Sequence, residues 1–114
     1  MTYAANKESL DSTSKINNYQ HLNADISKYD EIKDVFKKFK PDRIFHLAAE
    51  THVDRSIAMP NEFIQTNIIG TFNLLEITRE YLTEETQKDN FKFIHVSTDE
   101  VFGSLGKEDL FNEL

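Results

Sequence analysis

Two adjacent carboxyl groups, Asp99 and Glu100, stand in a short polar run that directly follows an apolar segment. Neighbouring carboxyls can serve as a general acid and a general base when their surroundings hold them in different protonation states. Thr98, just before them, has a hydroxyl that could orient a hydroxyl of a substrate. Because acidic pairs at strand ends also cap turns and helices, the trio alone leaves catalysis and a structural role equally open.

Three apolar segments must position these residues, and we predict each as a β-strand: Tyr19–Ala24, Arg43–Ala49 and Phe91–Val96. Between them, apolar residues recur with a helical period over Lys28–Lys40 and again from Pro60 onward. Alternating strands and helices with short links are typical of right-handed βαβ units in a parallel sheet. The sequence therefore predicts the α/β class.

Polar clusters follow all three predicted strands, and ligands of such sheets bind beyond the carboxyl ends of the strands. Asp25 follows the first strand, the run from Glu50 to His52 follows the second, and the run from Ser97 to Glu100 follows the third. We therefore expect a functional site at this one edge of the sheet.

Helix boundaries and faces are also predictable. Ser27 is the expected N-cap of the first helix, Pro41 ends it, and Pro60 fits the first turn of the second after a loop over residues 50–59. Gly70 interrupts the second helix, which predicts that another group packs closely against it. The expected apolar face of that helix consists of Phe63, Ile64, Ile68, Thr71, Phe72, Leu75 and Leu82.

Other site chemistries fit the sequence poorly. His46 and His52 lack the spacing of a zinc helix, there is no cysteine to support them, and we predict no metal site. His46 and His95 lie inside predicted strands, so we expect both to be core histidines. A hydrolase triad built from Ser97, His95 and Asp99 fails because near neighbours in a strand point to alternating faces and no G-x-S-x-G turn is present.

Composition narrows the class further. The 114 residues suffice for one domain at most, and 13 basic against 20 acidic residues give a net charge of −7. An acidic chain without a basic stripe is a poor ligand for a phosphate backbone, so we expect no nucleic-acid partner. No signal peptide and no membrane-length apolar run is present, so we predict a cytoplasmic protein without a membrane partner.

Three segments together resemble the nucleotide-sugar 4,6-dehydratases, a branch of the extended short-chain dehydrogenases/reductases. They are HLAAETHVDRSI (46–57), FIQTNIIGTFNLLE (63–76) and FIHVSTDEVFG (93–103). The opening TYAANKESL (2–10) is similar to the family's segment after the second strand of its Rossmann domain. The resemblance implies NAD as cofactor and a nucleotide sugar as substrate, with dTDP-glucose the closest match and UDP-glucose an alternative.

The resemblance also implies roles for the polar run. Thr98 matches the Ser/Thr that touches the sugar's 4-hydroxyl, Asp99 the acid that protonates the leaving 6-hydroxyl, and Glu100 the base that removes the C5 proton. Thr51 would face the substrate. The residues implied to contact the cofactor are Thr2, Asp25, Ile26, Leu47, Ala48, Ala49 and Thr66.

The resemblance further implies that this chain is an internal fragment. The only glycines are Gly70, Gly103 and Gly106, so the chain lacks the G-x-G-x-x-G turn that holds a pyrophosphate. In the family, that turn and the first strand should precede residue 1, and the catalytic Tyr-x-x-x-Lys should follow Leu114. We therefore expect residues 1–114 to form an incomplete Rossmann-type fold, a partial NAD-binding domain of a doubly wound parallel sheet. No separate substrate domain is expected, and the parent protein would be a homodimer. The remaining alternatives are a fragment of another nucleotide-sugar dehydratase or epimerase, and a non-catalytic remnant.

Overall fold

The structure is a computed structural model that describes residues 13–84, 89–106 and 110. Its principal elements are α1 (Tyr29–Phe39), β1 (Arg43–His46), α2 (Val53–Ala58), α3 (Pro60–Phe63), a π-helix (Ile64–Gly70), α4 (Thr71–Glu84) and β2 (Lys92–His95). Single 3₁₀ turns occupy Thr13–Lys15 and Asp99–Phe102. Thr2, one of the expected cofactor contacts, lies outside the described residues.

The two strands form a parallel sheet in which Arg43 pairs with Lys92 and His46 with His95. The connection between them runs through the three consecutive helices and the π-helix. This is the βαβ unit that the sequence predicts, although each strand is shorter than predicted at its carboxyl end. The described sheet is thus part of an α/β Rossmann-type layer, as expected.

The core lies between α1, α4 and one face of the sheet. Its buried apolar side chains are Ile32, Phe36, Leu74, Ile77 and Tyr81. The rings of Phe36 and Tyr81 meet edge to face with their centroids 5.6 Å apart, which joins the two helices. The opposite face of the sheet is exposed among the described residues: Phe45 is 63% exposed and Leu47 66%.

The predicted strand Tyr19–Ala24 is wrong, because the structure has no strand there. A strand is stable only when its backbone groups pair with a neighbour. In the described part of the chain the sheet consists of β1 and β2 alone, so no third strand pairs with this segment.

The predicted cap of the first helix is also wrong, although the helix itself is confirmed. The N-cap is Lys28, and its side chain makes no capping hydrogen bond. Ser27 instead donates its amide and its hydroxyl to the Asp25 carboxylate at 2.9 and 2.8 Å. The hydrogen bond from the Ser27 hydroxyl is the main cause that lowers the pKa of Asp25, and the bond from the Ser27 amide lowers it further. The local Asx turn therefore takes the serine away from the helix end.

The predicted apolar face of the second helix is mostly wrong. Ile64, Ile68, Phe72 and Leu75 are all 47% exposed or more, whereas the neighbouring positions Asn73, Leu74, Ile77, Thr78 and Tyr81 are buried. The buried face of α4 includes the polar residues Asn73 and Thr78, whose side chains donate to the carbonyls of Ile26 and Leu74, so a search for apolar residues selects the other face. Residues 50–59, predicted as a loop, also contain α2.

Gly70 packs as predicted. A Cβ atom built on it would lie 2.5 Å from both Cγ1 and Cδ1 of Ile26, far closer than carbon atoms approach. The glycine therefore lets the segment before α1 lie directly on the helix backbone. Asn73 fixes the same segment, because its side-chain amide donates to the Ile26 carbonyl at 3.1 Å.

Candidate functional site

A cleft of about 410 Å³ opens at the carboxyl ends of β1 and β2, the edge at which the sequence predicts a site. The segments after both strands form two of its walls. The third wall is formed by α2 and the long helix, the name used here for α3, the π-helix and α4 together (residues 60–84). Its lining residues are Ala48, Ala49, Glu50, Thr51, Val53, Ser56, Phe63, Asn67, Thr71, His95, Val96, Ser97, Thr98 and Glu100.

The wall that follows β1 is held by Asn67, a residue that the sequence patterns did not single out. The Asn67 side chain accepts a hydrogen bond from the Glu50 amide and donates one to the Glu50 carbonyl, both at 2.8 Å. One side chain thus satisfies both backbone groups of a residue that is 6% exposed. The available signal was an amide side chain in the largely apolar stretch FIQTNIIG, because a buried amide needs a hydrogen-bond partner.

Replacing Asn67 should loosen this wall. We expect Asn67→Ala to lower the free energy of unfolding by about 1–3 kcal/mol, because the two Glu50 backbone groups lose their partner in a poorly hydrated place. Asn61→Ala, at an exposed position of α3, is the matched control and should change stability by about 0.5 kcal/mol at most. Urea unfolding of the purified chain measures both. Equal effects of the two substitutions would contradict this role.

The wall that follows β2 carries the polar run. Ser97 and Thr98 are extended, and the 3₁₀ turn Asp99–Phe102 ends at Gly103, whose amide donates to the Glu100 carbonyl at 3.1 Å. Gly103 has a φ of +86°, a conformation that a residue with a side chain adopts only with strain. Thr98 and Glu100 line the cleft, whereas Asp99 is exposed outside its lining.

The two strand histidines differ from each other. His46 is 3% exposed, and its Nε2 lies 2.9 Å from the Thr71 hydroxyl, so its prediction as a core histidine is confirmed. The same prediction for His95 is wrong, because His95 is exposed and lines the cleft. The reason is that β2 ends at the mouth of the cleft, where its last side chain is uncovered.

The residues expected to contact a cofactor are only partly brought together. Ala48 and Ala49 line the cleft beside Thr51, and their small side chains leave its β1 wall open to a flat ligand. Leu47 is exposed outside the lining, and Thr66 is half-buried in the π-helix.

Asp25 and Ile26 stand before α1, beyond the residues that line the cleft. They therefore stand apart from Ala48 and Ala49, which line it. This separation is compatible with a ligand as long as a dinucleotide. The sequence has no Gly-rich turn to hold the pyrophosphate of such a ligand.

Comparisons with known proteins agree with this geometry. The chain is 50% identical over 111 residues to a dTDP-glucose 4,6-dehydratase of Salmonella typhimurium, covering 96% of the chain and 31% of that protein. It is 50% identical over 116 residues to the enzyme of the same name from Neisseria meningitidis serogroup B, covering 99% and 33%. The chain therefore spans about a third of the length of these relatives.

A solved structure is also similar. The dTDP-glucose 4,6-dehydratase of Bacillus anthracis str. Ames, crystallised in complex with NAD, superposes with a TM-score of 0.78 at 33% identity. The superposition covers 99% of this chain and 31% of that one. All 114 residues, 1–114, match the family described as GDP-mannose 4,6 dehydratase. Cleft, superposition and family match lead to one conclusion: this chain belongs to the GDP-mannose 4,6 dehydratase family.

Proposed function

We propose that these residues are the middle third of an NAD-dependent dTDP-glucose 4,6-dehydratase. The observation that carries the proposal is the cleft at the carboxyl edge of the sheet, which has Thr98 and Glu100 in its lining. The 50% identity to two proteins named for that reaction supports the choice of substrate. In this proposal residues 1–114 are part of one NAD-binding domain and contain no separate substrate domain.

Each group of the polar run has one task in the proposed reaction. Glu100 takes the proton from C5, which is acidic while C4 is a ketone. Asp99 donates a proton to the 6-hydroxyl, so that water leaves as the C5–C6 double bond forms. Asp99 must turn toward the cleft to do this, because its side chain lies outside the lining. Thr98 binds the 4-hydroxyl and Thr51 the rest of the sugar.

A bound NAD⁺ would supply the acceptor for the hydride of C4 and, once reduced, the donor that returns it to C6. We propose that Ala48 and Ala49 contact its nicotinamide end and that Asp25 and Ile26 contact its adenine end. The adenine contact is supported by the way Asn73 and Gly70 fix that segment on the helix. Leu47, Thr66 and Thr2 complete the proposed contacts.

The direct test is an assay of the full-length protein with three substrates: dTDP-glucose, UDP-glucose and GDP-mannose. We expect dTDP-glucose to yield the 4-keto-6-deoxy sugar at the highest kcat/KM. Preference for another sugar nucleotide would overturn the choice of substrate. Absence of product from all three, or stop codons in the DNA on both sides of this segment, would favour a non-catalytic remnant.

The 114-residue chain alone should not bind NAD⁺ tightly. The backbone N–H groups of a Gly-rich turn and the dipole of the helix after it are the usual ligands of the pyrophosphate, and this sequence contains no such turn. We expect calorimetric titration with NAD⁺ to show no micromolar binding and an assay with dTDP-glucose to show no product. Micromolar affinity would show that this chain holds the dinucleotide by other groups.

We further propose that the full-length protein is a cytoplasmic homodimer. The exposed apolar side chains of the long helix, such as Ile68, Phe72 and Leu75, support a protein partner for this face. None of the helices within residues 13–84 and 89–106 has the length and apolar character of a membrane span. Light scattering of the full-length protein would measure its oligomeric state.

A further inference from the structure

Two imidazole rings meet at the edge of the sheet from which the polar run departs. His46 and His95 are paired in register across the two strands, and their ring centroids lie 4.9 Å apart with a tilt of 34°. His46 is buried, and its Nε2 lies within hydrogen-bond distance of the hydroxyl of Thr71, the first residue of α4. His46 therefore touches both elements that hold the cleft: the helix through Thr71, and β2 through His95.

We propose that His46, in its neutral form, is a positioning residue that ties the end of β2 to α4, and that a proton on its ring releases this tie. His95 ends β2, and the run from Ser97 to Glu100 begins two residues later. A shift of His95 would therefore move the proposed acid–base residues relative to the helix side of the cleft. This inference concerns the cleft edge itself, and it rests on the proposed function only for its effect on catalysis.

The contacts of His46 with Thr71 and His95 depend on the charge of the His46 ring because that ring is buried. Removal from water lowers the pKa of His46 from its ordinary 6.5, and the charge on His95 lowers it further. The ionisable groups that line the cleft after the two strands are Glu50 and Glu100, and the helix side contributes the uncharged Asn67 and Thr71. An imidazolium at His46 would have to leave its pocket to regain water, and in doing so it would lose Thr71.

The free energy of unfolding should depend on pH through His46. Below pH 6.5 the unfolded chain binds a proton on His46 that the folded chain does not bind. The contribution of His46 to the free energy of unfolding is therefore fully present above pH 6.5 and falls as the pH decreases. The loss ends once the pH is below the folded-state pKa. One proton can change the unfolding equilibrium at most about tenfold for each pH unit.

The test is nuclear magnetic resonance on the isotope-labelled 114-residue chain between pH 8 and pH 5. We expect the His46 ring to titrate below 6.5, and the amide signals of Ser97 and Thr98 to shift in a step that follows this titration. In His46→Gln, whose side-chain amide stays neutral, this step should vanish. His21→Gln, at an exposed histidine before α1, is the matched control and should keep the step.

A second variant keeps the test decisive if His46→Gln does not fold. His95→Gln removes the neighbouring charge at an exposed position, so the His46 midpoint should rise toward 6.5 and the step in the Ser97 and Thr98 signals should move with it. The inference is overturned if His46 titrates at 6.5 or above in the unaltered chain, or if the step persists at the same pH in His46→Gln. Because neither readout needs substrate, a failed dehydratase assay would leave this result standing.

Discussion

Glu100→Gln in the full-length protein is expected to reduce turnover of dTDP-glucose by about 100- to 10,000-fold, the usual contribution of a positioned acid or base. The amide has nearly the shape of the carboxylate but cannot accept the C5 proton. Exchange of that proton with deuterium from the solvent should therefore disappear with turnover. Binding of NAD⁺ should be unchanged, because Glu100 is not among the residues that we propose to contact NAD.

A matched pair of variants separates the two carboxyl groups. Asp99→Asn should slow the loss of the 6-hydroxyl while deuterium still enters at C5, since the proposed base is intact. Asp34→Asn, an exposed carboxyl on α1 away from the cleft, should leave turnover unchanged. Near-normal turnover of Glu100→Gln or of Asp99→Asn would refute the roles that we assign to them.

Ile77→Ala should remove a large part of the stability of the folded chain. Ile77 is 2% exposed, and it is the largest fully buried side chain among the described residues. Truncating a buried isoleucine to alanine usually costs about 2–5 kcal/mol, because apolar contacts are lost and a cavity is left. Native domains are usually stable by about 5–15 kcal/mol, so this one substitution should remove a large fraction of the free energy of unfolding. Circular dichroism during urea titration measures the loss.

Leu75→Ala is the matched control, two residues away on the same helix. Leu75 is 50% exposed, and removal of its side chain should change the stability of the chain by about 0.5 kcal/mol at most. This pair also decides which face of α4 packs on the core. A loss at Leu75 as large as that at Ile77 would support the helix face that the apolar pattern predicted.

The elements of the fold and the place of the site could be predicted from sequence, because both depend on local pattern. Apolar periodicity located α1, β1, β2 and the long helix, and the carboxyl edge of a parallel sheet located the cleft. The close contact at Gly70 was also predictable, since an interior glycine costs a helix stability and usually has a packing reason.

The errors arose where hydrogen-bond partners decide the structure and the apolar pattern does not reveal them. The strand predicted at Tyr19–Ala24 needed a neighbouring strand, and Ser27 bonds to Asp25, two residues before it, although its position in the sequence suits a cap. The buried face of α4 includes Asn73 and Thr78, which are tolerated there because they donate to the carbonyls of Ile26 and Leu74. A pattern that scores only apolar residues cannot find such a face.

The wide turn over Ile64–Gly70 makes this segment a place where the helix can change length. A π-turn holds one residue more than an α-turn, so deletion of a single residue within it would leave a regular α-helix whose two ends keep nearly their present directions. Deletion of a residue from the regular turns of α4 would instead rotate every side chain beyond it by about 100° relative to those before it. Ile77 and Tyr81 could then no longer face the core together with Leu74. Homologues should therefore accept the loss of one residue within Ile64–Gly70 more readily than within α4.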